Sequence, residues 1–437
     1  MTDYFEFIGS LMGSNGRGEA LKGLKVVEVT HFIFGPNIGR VLAQFGAEVV
    51  KVETPGEGDR YRTAAIFGRF YKRANLLYAI LNANKYIIAA DARNEKAKKI
   101  IFELVKRADI FVENLSAGLV DAIGIGYETV KKVNPKIIYV SCSGYGQYGP
   151  LSRMPSFDIA AQGVSSVAMK TGWEDVDEFY KLPDYFGDYL PSMLAVFAIL
   201  SALYYREKTG KGQYIDISQA EGLMRFMYDF TYYSITKEEI GKTGNIDPAS
   251  IPSGIFKTKD EKFVAISILT SSQFNSLRSA VPELTRSFEK SKAKELNGIL
   301  ARWVADKKLE EVLELAKKHG FPASPVLDDK DILNDPWRLE RGSILKVRDR
   351  LLGEIPIPGA VIAMSATPGK IKWLGRAVGY HNRLVLKKWL GMSDREIEEL
   401  EKEGVIGYWD EMPGTAPPVT WTEENDEVFR GEKDEEG

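Results

Sequence analysis

Cysteine is almost missing from these 437 residues: Cys142 stands alone, so no disulfide framework within one chain and no cysteine-rich metal site is available, and a reducing, cytoplasmic setting is the expectation. Histidine is nearly as scarce, with only His31, His319 and His381, far apart and without the local spacing that metal-ligand clusters show, so no metal is expected. An excess of positive charge is absent too. Lys and Arg number 58 against 61 Asp and Glu, a net charge of -3, which argues against nucleic acid or an anionic membrane as partner and in favour of small-molecule chemistry. The longest uncharged run, Tyr189 to Tyr205, is interrupted by Pro191 and Ser192 and falls short of the ~20 residues a spanning helix needs, so it reads as a buried core helix. The start, MTDYFEFIGSLMG, lacks a basic segment and reads as a lead-in arm, not a secretory signal. No internal repeat is found.

What is present is ordinary globular composition, 44% hydrophobic and 27% charged, in a chain long enough for two domains or for one domain carrying an insertion. From Leu21 to about Gly149 strand and helix patterns alternate. LKVVEVTHF (24–32) and EVVKVE (48–53) are β-branched and apolar, and between them GPNIGRVLAQFGA (35–47) puts Ile38, Val41, Leu42 and Phe45 on one helical face. Asn94 or Asp91 is placed to cap a helix through EKAKKIIFELVKRA, and strands DIFVE (109–113) and KIIYVSC (136–142) follow. Such alternation predicts an α/β fold, a mostly parallel sheet covered on both faces. Ligands then belong at the carboxyl ends of the strands, beside HFIFGPN, VETPGEGDRYR, ENLSAG and SGYGQYG. A strand YIDIS and another helix follow the apolar run. The polar connector KTGNIDPASIPSG (242–254) then marks a change of character, and the tail beyond Trp409 is acidic and aperiodic.

Individual motifs are weaker than they look. Gly144-Tyr145-Gly146-Gln147-Tyr148-Gly149 matches a dinucleotide fingerprint and follows a strand, but Pro150 and a polar loop stand where the fingerprint needs a helix to open. The nearest approaches to a nucleophile elbow, around Ser116 and Ser165, each lack a glycine. His31, at the end of the first strand, is either a contact to a bound nucleotide or a core residue with a satisfied hydrogen bond, and local pattern favours the second. Asp188, in PDYFGDYLPSMLAVFAIL, reads locally as the N-cap of a helix beginning near Leu190 with Pro191 in its first turn.

Together the motifs resemble the class III CoA-transferases, the CaiB/BaiF family with its formyl-CoA and carnitine transferases and its α-methylacyl-CoA racemase branch. The matching segments run in order from about Leu21 to Ile406: the Gly-Pro after the first strand, KVETPGEGD, LNANKYIIAAD, ADIFVENLSAG, the IGYETVKKVNPKIIYVSCSGYGQYGP stretch, PSFDIAAQG, and GDYLPSMLAVFAILSALYYREKTGKGQYIDIS. The resemblance implies a Rossmann-like parallel-sheet large domain, a smaller α+β domain and an interlocked dimer. It divides the chain into an arm (1–20), a large domain (21–225, returning at 341–408), a small domain (226–340) and an acidic tail (409–437). The homodimer is the expected assembly, with pairing to a paralogous subunit as the alternative.

The resemblance also implies the chemistry: CoA passes from an acyl-CoA to a carboxylic acid through an anhydride and then a thioester on Asp188, with CoA thioesters as substrates and no permanently bound cofactor. It assigns CoA and substrate contacts to His31, Phe32, Ile33, Phe34, Ala90, Arg93, Asn114, Leu115, Phe157 and Asp158. The racemase branch carries a histidine where this chain has Phe157, which weighs against racemisation. Thr54 and Ala122 stand where the family often has arginine, so Arg62, Lys85 and Arg93 are the candidate phosphate contacts.

Overall fold

The computed structural model describes residues 4–13, 18–72, 74–247, 249–284, 293–349 and 352–408, so the acidic tail expected at 409–437 lies outside the described residues. The chain forms two compact units, one of Met1–Ser165, Pro183–Met227 and Pro336–Gly437, the other of Ser166–Leu182 and Tyr228–Asp335.

The first unit is built on six strands: β1 (Lys25–Val29), β2 (Glu48–Glu53), β3 (Lys85–Ala89), β4 (Ile110–Glu113), β5 (Ile138–Ser143) and β6 (Gln213–Ser218). They are parallel throughout, in the order β3-β2-β1-β4-β5-β6. Because strand side chains alternate, Val27, Val50, Ile88, Phe111 and Tyr139 enter the core on one face. Val26, Val49, Ile110 and Ile138 enter the core on the other, with Ile38 and Leu42 of the helix Phe34–Gln44. The helix Phe186–Thr209 is long and apolar enough to cross a bilayer. Here it is the crossover between the parallel strands β5 and β6, and its Ala195, Ile199 and Ala202 pack into the second of these cores.

Two local devices complete the sheet. The edge strand β3 has its Ile87 and Ala89 N–H groups capped by His381 Nδ1 and Asn382 Oδ1, each at 2.8 Å, which blunts the open edge. Strand order reverses between β1 and β4, and there Asn114 clips the two ends together: its Oδ1 accepts from the His31 N–H (2.7 Å) and its Nδ2 donates to the His31 carbonyl (2.8 Å). This reversal opens the crevice where open parallel sheets take ligands.

The second unit holds an antiparallel sheet, β7 (Ser253–Lys257), β8 (Phe263–Ser267) and β9 (Ala323–Pro325), around a core of Val264, Ile266, Leu277, Leu300 and Val312. Residues 166–182, expected within the large domain, belong to this unit. The reason is local pairing: the Gly244 N–H bonds the Gly172 carbonyl at 2.8 Å, and Lys170 meets Asp229 at 2.8 Å.

Candidate active site

The floor of the crevice is a buried ionic lattice. Charged residues interrupt the apolar strands at Glu28 of β1, Lys51 of β2 and Lys85 of β3, and all three are fully buried. Lys85 Nζ reaches Glu28 Oε1 (2.7 Å), the Pro36 carbonyl (2.7 Å) and Asn82 Oδ1 (3.0 Å). Lys51 Nζ reaches the Thr30 carbonyl (2.7 Å) and Asp59 Oδ2 (3.0 Å). Burial alone would raise the Asp59 pKa, but Lys51 and His31 outweigh it and hold the carboxyl well below its ordinary value. Asp59 Oδ1 then accepts from the N–H groups of Phe32 (3.0 Å) and Tyr61 (2.8 Å), which pins Phe32 at φ 60, a left-handed conformation costly for a bulky residue. Phe32 is thereby presented edge to face against Phe157, with centroids 5.5 Å apart.

Asp188 is the third residue of the helix Phe186–Thr209, not its cap. The helix starts earlier than the local pattern predicts because its cap comes from elsewhere: Asp158 Oδ1 accepts from the Gly187 N–H at 2.6 Å. A Cβ on residue 187 would lie 2.9 Å from that oxygen, so glycine is what admits the cap. With capping done by Asp158, the Asp188 side chain is released from backbone duty. Its Oδ1 accepts from Gln219 Nε2 at 2.6 Å, and Gln219 Oε1 accepts from Ser156 Oγ at 3.1 Å. Ser218, at the end of β6, caps the helix Gln219–Met224 and sets Gln219 in its first turn. That helix approaches Asp188 closely because residue 222 is glycine; a Cβ there would sit 2.5 Å from Pro191. Asp188 is 8% exposed, and its pKa is pushed up to about 7 by burial, against which the Gln219 hydrogen bond pulls, with Asp158 adding a smaller upward push.

A cavity of about 830 Å³ runs along the carboxyl ends of the strands, with Asp188 and Gln219 in its wall. Of the candidate contacts, His31, Phe32, Phe34, Ala90, Arg93, Asn114, Leu115 and Phe157 line it. Ile33 is buried in a cluster with Tyr61, Tyr78 and Leu81. Asp158 is committed internally, Oδ1 to Gly187 and Oδ2 to Gln162 Nε2 at 2.9 Å. Arg62 and Lys85 do not line the cavity. Arg62 pairs with Glu53 at 2.8 Å and Lys85 with Glu28 at 2.7 Å, both turned into the protein, because a buried guanidinium or ammonium needs its counter-charge within contact. The cations that do line it are Arg60, Arg93 and Arg153, beside His31. The segment 144–157, which carries the glycine fingerprint, contains no helix, and Gly146 (φ 85) and Gly149 (φ 93) use the left-handed region in its turns.

Comparison with known proteins agrees with this architecture. Residues 21–382 match the model of CoA-transferase family III. The chain belongs to CoA-transferase family III. The chain is 32% identical to the succinyl-CoA–D-citramalate CoA-transferase of Chloroflexus aurantiacus, over 90% of this chain and 100% of that protein. It is 31% identical to human succinyl-CoA:glutarate CoA-transferase, over 88% and 90% respectively. The crystal structure of a CaiB/BaiF family protein from Brucella suis superposes with a TM-score of 0.75 at 28% identity, over 85% of this chain and all (100%) of that one.

As a family III CoA-transferase the protein needs room for a CoA thioester, and the cavity along the strand ends is the candidate for it. Gln219 and Ser156, which touch or orient Asp188, went unnoticed in the sequence. The signal for Gln219 was its position: it directly follows β6, at the carboxyl edge of the sheet where ligand contacts gather. Ser156 carried no local signal, since it reaches Gln219 from a loop 63 residues away.

Proposed function

We propose that this CoA-transferase uses Asp188 as its nucleophile to move CoA from an acyl-CoA to a carboxylic acid. The observation that carries the reading is the state of that carboxylate: buried in the wall of a cavity of about 830 Å³, with Gln219 Nε2 donating to it at 2.6 Å. A carboxylate stripped of water is a stronger nucleophile than a solvated one, and an anhydride formed there is shielded from hydrolysis.

The steps balance without metal or nucleotide. Asp188 attacks the thioester carbonyl carbon, the C–S bond breaks, and CoA thiolate leaves behind an aspartyl-acyl anhydride. The thiolate returns to the aspartyl carbonyl, expelling the donor acid as its carboxylate and forming an aspartyl-CoA thioester. The acceptor carboxylate attacks that thioester, releasing thiolate and forming a second anhydride. Attack of thiolate on the acceptor carbonyl gives the new acyl-CoA and regenerates Asp188. Holding thioester and carboxylate in contact contributes on the order of 7 kcal/mol or more to such steps. His31, Arg93 and Asn114, in the wall of the cavity, are the proposed CoA contacts.

The named relatives use succinyl-CoA with citramalate or glutarate. We therefore take succinyl-CoA as donor and a short dicarboxylic acid as acceptor. The chain carries its own Asp188, so the assembly proposed is a homodimer that needs no second protein. Incubating purified protein with succinyl-CoA and a panel of carboxylic acids, with mass spectrometry of the Asp188 peptide, tests this. Transfer with an adduct on Asp188 supports it, whereas full transfer by Asp188→Ala, or transfer only after a second subunit is added, overturns it.

A further inference from the structure

Three polar side chains cross the carboxyl edge of the sheet on one face. The β4–β5 register sets Glu113 opposite Ser141, and the β5–β6 register sets Ser141 opposite Asp216. Two residues earlier on each strand, and on the same face because strand side chains alternate, Phe111, Tyr139 and Tyr214 form an aromatic row with ring centroids 5.1 and 5.6 Å apart. The polar row therefore rests on an apolar floor. Glu113 is fully buried and Asp216 half-buried.

This row differs from the ionic lattice of β1, β2 and β3. There Glu28 has Lys85 at 2.7 Å and Asp59 has Lys51 at 3.0 Å. Among the described residues no cation stands against Glu113 or Asp216; what faces them is hydroxyl, N–H and further acid. Glu113 Oε1 accepts from Ser141 Oγ, and its Oε2 accepts from the Leu115 N–H at 2.9 Å. Asp216 Oδ2 accepts from the Gln147 N–H at 2.9 Å, beside the left-handed turn at Gly146 (φ 85). Burial pushes Glu113 up to about 7 against these hydrogen bonds, with Asp121 and Asp216 adding smaller pushes. A buried acid without a counter-charge costs stability, so its value to the protein lies in what it holds.

What the two acids hold are loops that wall the cavity at Asp188. Leu115 belongs to the segment 114–118 after β4, all of which lines that cavity. Gln147 belongs to the segment 144–157 after β5, which lines it through Gly144 and residues 152–157. The end of this second segment carries Ser156, which donates to Gln219, and Gln219 donates to Asp188. Glu113, Ser141 and Asp216 do not line the cavity themselves.

We propose that Glu113 and Asp216 are positioning residues for CoA: with Ser141 between them, they fix the spacing of the two loops, so each loop meets the CoA thioester correctly only while the other is held. The proposal rests on the reading that CoA occupies this cavity. It gives the row a function that neither packing nor the chemistry at Asp188 requires.

The test is calorimetric titration of the full chain with CoA, in a double-mutant cycle read beside urea denaturation. Glu113→Leu and Asp216→Ala should each weaken CoA about fivefold or more, and the double variant should be no weaker than the worse single, because both act on one linked structure. Glu113→Gln, which keeps an oxygen acceptor for the Leu115 N–H, should restore most of the affinity. If Glu113→Leu folds poorly, Ser141→Ala takes its place in the cycle. A merely structural role would move the urea midpoint and leave CoA affinity within about twofold of wild type, which would overturn the proposal, as would losses that multiply in the double variant. Wild-type protein that does not bind CoA overturns the cavity assignment and this proposal with it, whereas full transfer by Asp188→Ala overturns only the nucleophile.

Discussion

Because the Asp188 pKa is pushed up to about 7 from an ordinary 3.8, pH separates the proposed nucleophile from carboxylates on the surface. With that pKa, about 9% of the free enzyme carries an ionised Asp188 at pH 6 and about 91% at pH 8, so kcat/KM should rise roughly tenfold across that interval. Stability moves the opposite way. A carboxyl whose folded pKa lies above its unfolded value favours the native state most in acid and loses that contribution as pH climbs from about 4 to 7. A displacement of roughly 3 pKa units corresponds to at most about 4 kcal/mol, a ceiling that partial hydration lowers to ~2–4 kcal/mol. Asp188→Asn removes the titration while keeping the hydrogen bond from Gln219. At pH 8 this variant should be inactive yet melt about 2–5 °C above wild type, and at pH 4 the two should coincide. Glu113, also pushed up to about 7 by burial, titrates in the same window, so only the difference between variant and wild type isolates Asp188. A kcat/KM that stays flat between about pH 6 and 8, with a melting difference independent of pH, would refute a desolvated, titrating nucleophile.

Gln219→Leu removes the group that lowers the Asp188 pKa, so its pH–activity curve should shift to higher pH and recover partly in alkali, whereas a merely structural role would lower activity at all pH values alike. Gly187→Ala drives a Cβ to 2.9 Å from Asp158 Oδ1 and displaces the helix cap; transfer should fall at least tenfold, with stability loss near 1–2 kcal/mol by urea denaturation. Lys85→Met leaves Glu28 without the partner it holds at 2.7 Å and should cost about 3–5 kcal/mol, read from the same urea curves. Asn114→Ala opens the clip between β1 and β4, and the KM for acyl-CoA should rise more than kcat falls, because the cavity wall loosens while Asp188 stays in place.

How much of this was legible in the chain depended on the range over which each interaction acts. Strand and helix periods are local, so EVVKVE became β2 with its expected bounds, and Asn94 caps its helix by accepting from the N–H groups of Lys96 and Ala97. Asp188 was nominated by its Gly-Asp context, and the cap role that its local pattern suggested falls to Asp158 instead. A cap assignment follows from the adjacent residues alone, and nothing adjacent reveals that Asp158, 29 residues earlier, takes that duty.

The misplaced phosphate contacts teach the complementary lesson. Arg62 and Lys85 were nominated because Thr54 and Ala122 stand where the resemblance leads one to expect arginine, yet the pattern held a contrary sign: Glu28, Lys51 and Lys85 lie in strands β1, β2 and β3 of a sheet covered on both faces, and all three are fully buried. In such a strand neither face meets water, so a charge there must find its counter-ion within the sheet or the helices that cover it. Opposite charges on adjacent parallel strands are therefore evidence of an internal lattice. Applied to this chain, that rule pairs Glu28 of β1 with Lys51 of the neighbouring β2 before any coordinates are known, whereas Lys85 of β3 reaches Glu28 across the intervening strand, and Arg62 and Arg93 lie outside the strands. Of the three nominated cations, Arg93 lines the cavity.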